Sequence, residues 1–70
     1  MQLKIDKLKQ LMDQKFSGNY HAFARELKID VSTLHKILNV QINAGLKTIN
    51  KIIEYLKSQD LEVEEYIFLP

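Results

Sequence analysis

Between Asn19 and Asn39 the chain reads NYHAFARELKIDVSTLHKILN, and its second half carries Ser32, Thr33, His35, Lys36 and Asn39. At helical spacing these fall away from the apolar Leu34, Ile37 and Leu38, so one face presents hydroxyl, imidazole, ammonium and carboxamide groups. Their chemistry is hydrogen-bond donation and acceptance. His21 and His35 are the only histidines and there is no cysteine, which leaves no zinc pattern of ordinary spacing. No Ser, His and carboxylate grouping has a supporting loop signature, and Gly18 and Gly45 stand alone instead of forming a phosphate-cradling loop. The pattern points to recognition: no catalytic residue, cofactor, metal or small-molecule substrate is expected, and the chain reads as a non-enzyme.

These side chains need elements that aim them. Asn19 is a good N-cap for a helix from Tyr20 to about Lys28, and Asp30 for another from Val31 to Asn39. Two caps so close together enforce two short helices joined by a tight turn, a helix-turn-helix, with the small Ala24 where the axes must approach. Phe23, Leu27, Ile29, Leu34, Ile37 and Leu38 supply the inner faces. A polar helix face on such an apolar support suits the major groove of DNA.

Three further helices complete an all-α reading of five. The first runs from about Leu3 to Lys15, with Leu8, Leu11, Met12 and Phe16 on one stripe, and ends at Ser17 and Gly18. VQINAG, residues 40–45, reads as loop. Leu46, Ile49, Ile52, Ile53 and Leu56 mark a fourth helix from near Ala44 to Lys57 or Ser58. Asp60 can cap a fifth holding Leu61, Val63, Tyr66 and Ile67.

Length and charge bound the possibilities. At 70 residues the chain is one domain, and such chains bury only about 60% of their unfolded surface, which leaves no room for an enclosed ligand chamber. No apolar run approaches the roughly 20 residues of a membrane span, and no leader follows Met1, so no membrane partner and a cytoplasmic location are expected. Net charge is only +1, yet residues 1 to 59 carry all ten Lys and Arg against five acidic groups, a balance of +5. Asp60, Glu62, Glu64 and Glu65 give the last eleven residues −4. A basic body can meet phosphate while an acidic end stays beyond the screening length of about 8 to 10 Å. An ordinary solvated surface with an acidic terminus accounts for the charge equally well.

FARELKI at Phe23–Ile29, VSTLHKILN at Val31–Asn39, GLKTINKIIEYL at Gly45–Leu56 and LEVEEYIF at Leu61–Phe68 resemble, in order and spacing, the Cro and repressor headpiece group of lambda-like phages, the XRE-type helix-turn-helix family. The likeness covers nearly all of the chain. It implies a compact five-helix lambda-repressor-like fold in which the second and third helices read double-stranded DNA, as a homodimer on a near-palindromic operator. One position departs: Lys28 stands at the ninth motif position, where the family usually has glycine, and costs about 1 kcal/mol if the backbone there is left-handed.

By this resemblance Val31, Ser32 and Lys36 occupy positions that touch base edges, Thr33 faces phosphate, and His35 and Asn39 reach the groove. The chemistry suits: Lys36 can donate to guanine O6 and N7, Ser32 can donate or accept, and Val31 methyls can meet a thymine methyl. Val31 packing on the core and Ser32 assisting a cap are the structural alternatives. Phosphate contacts are expected from Asn19, Tyr20 and His21 at one helix N-terminus and from Gln41, Asn43, Lys47 and Thr48 around another. Asn19 also serves as an N-cap, and Tyr20 could instead lay its ring on the core edge. Arg25 and Lys28 read as solvated, or paired with Glu26 and Asp30.

At the C-terminal end, Tyr66, Ile67, Phe68 and Leu69 are more apolar surface than one short helix hides. Tyr66 and Ile67 can close the core, leaving Phe68 and Leu69 as dimer-interface candidates. Two functional classes follow: a transcriptional regulator, read as a repressor, or a protein-interaction module such as an antitoxin or adaptor that uses the apolar tail.

Overall fold

In the computed structural model, which describes residues 2–40 and 44–68, helices dominate and a two-stranded ribbon joins the two ends. The order is β1 (Gln2–Leu3), α1 (Ile5–Phe16), α2 (Tyr20–Leu27), α3 (Val31–His35) continued by a π turn over Lys36–Val40, α4 (Leu46–Ser58), a 3-10 turn (Val63–Glu65) and β2 (Ile67–Phe68).

Each helix follows its apolar stripe. Leu8, Leu11 and Met12 of α1 are buried, with Phe16 half-buried beside them. Ser17 and Gly18 end the helix with consecutive left-handed residues, φ 52 and 74. At Gly18 the left-handed backbone favours glycine, and an added Cβ would also sit 3.3 Å from Asp13 Oδ1, which would have to give slightly.

α2 starts at its expected cap, where Asn19 Oδ1 accepts a hydrogen bond from the Ala22 N–H at 3.1 Å. It ends in a Schellman turn: the Ile29 N–H donates to the Ala24 carbonyl at 3.0 Å and the Lys28 N–H to that of Arg25 at 3.1 Å. Lys28 adopts φ 62, ψ 40, so lysine carries the left-handed conformation usually given to glycine. From α4, Lys51 Nζ donates to the Lys28 carbonyl at 3.0 Å. Only Lys28, Ile29 and Asp30 separate α2 from α3. Asp30 holds the extended N-cap position but makes no side-chain cap bond, and the residue is exposed.

The third helix is not a uniform α-helix to Asn39. After His35 it widens into a π turn, the insertion of a residue into the helical ladder, and Ile37 and Leu38 are both fully buried there. In α4 the buried stripe is Ile49, Ile52, Tyr55 and Leu56, while Leu46, expected at its head, is 66% exposed. Phe16, Phe23 and Tyr55 lock α1, α2 and α4 together: Phe16 and Phe23 stack at 5.1 Å, and Tyr55 meets Phe23 edge-on at 6.1 Å.

The expected fifth helix is replaced by turn and strand. Asp60 does not start a helix; it stops α4, adopting φ 56 while the Leu61 N–H donates to the Leu56 carbonyl at 2.9 Å and its own N–H to that of Lys57 at 3.1 Å. This second Schellman turn leaves Leu61 and Val63 half-buried against the core, with a single 3-10 turn after Glu62. Tyr66 closes that turn, and the β-prone Ile67 and Phe68 then run extended. β2 pairs antiparallel with β1, Gln2 opposite Phe68 and Leu3 opposite Ile67, which buries Ile67 and exposes Phe68. Among the described residues no helix is long and apolar enough to cross a membrane.

Candidate nucleic-acid interface

α3 and its π turn divide sharply into two sides. Leu34, Ile37 and Leu38 are buried, whereas Ser32, His35, Lys36 and Asn39 are exposed and Val31 and Thr33 half-buried. Val31 also packs against the core cluster, which favours its structural alternative, although the residue is only half-buried. The inner side fixes the outer one: with three large side chains seated, the helix cannot roll without opening cavities in a core of this size.

The first turn of α2 is bound to this outer side through Tyr20. Its ring lies flat on the His35 imidazole, centroids 3.9 Å apart and planes 4° from parallel. At its far end the Asn39 Nδ2 donates to Tyr20 Oη at 3.1 Å, with Asn39 Oδ1 3.4 Å from the same hydroxyl. Tyr20 therefore lies between the core edge, against which it is partly buried, and the exposed side of α3. The sequence reading missed this coupling. Its signal was the spacing of His35 and Asn39, four residues apart on the exposed face, opposite an aromatic residue just after a cap.

Around this face the remaining candidates are dispersed. Asn19 and His21 are exposed beside Tyr20, with Asn19 Oδ1 already engaged as the cap. Lys47 is exposed and Thr48 half-buried in the first turn of α4. Gln41, Asn43 and Leu69 lie outside the described residues.

Phe68 is 55% exposed on β2, and Lys4 Nζ approaches its ring to 4.9 Å from the centroid, a cation–π contact. On α4, burial pushes the Tyr55 phenol above its ordinary pKa, with the negative charge of Glu26 and then Tyr66 adding to the rise. Glu26, Lys28, Lys51, Glu54 and Tyr55 line a cleft between α2 and α4.

In comparisons with known proteins the chain matches no family model, no curated protein and no solved structure.

Proposed function

We propose that the chain is a sequence-specific double-stranded DNA-binding transcriptional regulator, a repressor of the Cro and XRE type that acts as a homodimer on a near-palindromic operator. The observation that carries this reading is the two-sided α3: polar Ser32, His35, Lys36 and Asn39 exposed together over buried Leu34, Ile37 and Leu38. α2, the Lys28 turn and α3 then act as a helix-turn-helix, with α3 in the major groove. Lys36 and Ser32 read base edges, with Val31, His35 and Asn39 at the margins of that row. Asn19, Tyr20, His21, Thr33, Lys47 and Thr48 hold phosphate. Phe68 joins the dimer contact, which sets the two reading helices about 34 Å apart, one turn of B-DNA.

Selection of bound duplexes from a random pool tests the reading, since recovered half-sites give both sequence and spacing. Failure to enrich any sequence would refute it. The exposed Phe68 supports a second reading, a protein-interaction module such as an antitoxin or adaptor. The two separate by salt: DNA affinity falls steeply as salt rises, whereas docking through an apolar side chain hardly responds.

A further inference from the structure

The contact between Tyr20 and Asn39 bears on which residues read bases, and it rests on the DNA-binding reading. A carboxamide recognises adenine by presenting one edge, its oxygen accepting from N6 and its nitrogen donating to N7. Tyr20 Oη lies 3.1 Å from Asn39 Nδ2 and 3.4 Å from Oδ1. A hydroxyl within reach of both atoms stands across that same edge; one lying beyond the far N–H would be well separated from the oxygen. The hydroxyl is held there from two sides, by its own attachment to the first turn of α2, capped by Asn19, and by the flat stack on His35.

We infer that Tyr20 is a specificity-determining positioning residue: its hydroxyl occupies the reading edge of Asn39 and withholds that side chain from the bases. Direct readout then falls on Ser32 and Lys36, which are exposed on α3. Asn39 serves to fix Tyr20. The ring of Tyr20 covers one face of His35.

Tyr20→Phe separates the roles, because it keeps a ring to stack on His35 and deletes only the hydroxyl. In the free protein, the side-chain amide resonances of Asn39 shift in Tyr20→Phe and those of other Asn and Gln side chains do not. On duplexes recovered with the wild type, scanned one base pair at a time, Tyr20→Phe acquires a preference of about 5- to 150-fold for adenine at one position per half-site. Adding Asn39→Ala abolishes that acquired preference. Unmoved Asn39 resonances overturn the inference whatever the DNA result. So does an unchanged base preference in Tyr20→Phe, or an acquired adenine preference that persists when Asn39→Ala is added. A wild type that selects no sequence while its Asn39 amide still responds to Tyr20→Phe overturns the DNA-binding reading, and with it the readout role, leaving only the contact.

Discussion

Tyr20 and His35 lie face to face, 3.9 Å between ring centroids and 4° between planes, although they are fifteen positions apart with a turn between them. Such a pair joins the head of α2 to the last α-helical residue of α3, so part of the geometry between those helices is fixed on the solvent side as well as in the core. Aromatic pairs contribute about 0.5 to 1.5 kcal/mol beyond their burial. A double-mutant cycle with Tyr20→Ala and His35→Ala, read by chemical denaturation, is expected to give a coupling in that range, toward its lower end because the pair is partly solvated. Additive effects would mean that the stack contributes nothing to stability.

Lys36 and Lys47 differ in their surroundings in a way that DNA binding should report. Lys36 stands in the middle of the exposed row on α3, while Lys47 is in the first turn of α4. Lys36→Ala is expected to cost about 1 to 3 kcal/mol of operator affinity and to relax preference at one base pair; Lys47→Ala should weaken all duplexes alike and reduce the salt slope by about one. Titrations on matched and single-mismatch duplexes at several salt concentrations distinguish the two. If both variants bind as the wild type does, the groove-facing side has been assigned wrongly.

Lys28 is the clearest site for a stabilising change. Its φ of 62 is a conformation that a side chain resists, and glycine there relieves about 1 kcal/mol of strain, partly offset by the greater freedom glycine gives the unfolded chain. The Lys51 bond is to the backbone carbonyl and survives the change. Lys28→Gly is therefore expected to stabilise the domain by about 0.5 to 1 kcal/mol, a rise in Tm of roughly 2 to 8 °C for a domain this small. A lower Tm would show that the lysine side chain itself contributes to the turn.

What the sequence disclosed and what it concealed divide along the range of the interactions. Asn19 was legible as a cap because its bond is local, three residues along the chain; the left-handed backbone at Lys28 was suggested only by the family's usual glycine at that position, since lysine itself carries no such signal. The buried sides of α1 to α4 followed from periodicity, which sums over several turns. Asp60 misled because an Asp before an apolar run suits a helix start, yet the same residue tolerates the left-handed end of the preceding helix; what marks the helix end is the Leu61 N–H bond to the Leu56 carbonyl, with Leu61 packed against the core. The pairing of Leu3 with Ile67 was hidden because two-residue strands have no pattern of their own and are formed by contact between the chain ends. The site was half legible for the same reason: which α3 residues face outward is periodic, but Tyr20 reaching His35 and Asn39 is tertiary.

Tyr55 makes stability depend on pH at the alkaline end. Its phenol is held above the ordinary value of 10.0 by burial, with Glu26 and Tyr66 adding to the effect. The folded state thus binds the proton more tightly than the unfolded chain does. Below pH 10 both states are protonated at this residue and stability is unaffected; above it the unfolded chain ionises first, so stability falls until the folded-state pKa is passed. Lysines and the other tyrosines also titrate in this range, so the measurement is comparative: unfolding free energies of wild type and Tyr55→Phe between pH 8 and 11. The wild type is expected to lose more stability than the variant over the upper part of that interval, because phenylalanine keeps the contacts with Phe16 and Phe23 and has no proton to lose. Parallel curves would show that the Tyr55 hydroxyl reaches water freely enough to ionise in place, and that the edge-on packing against Phe23 leaves its oxygen outside the core.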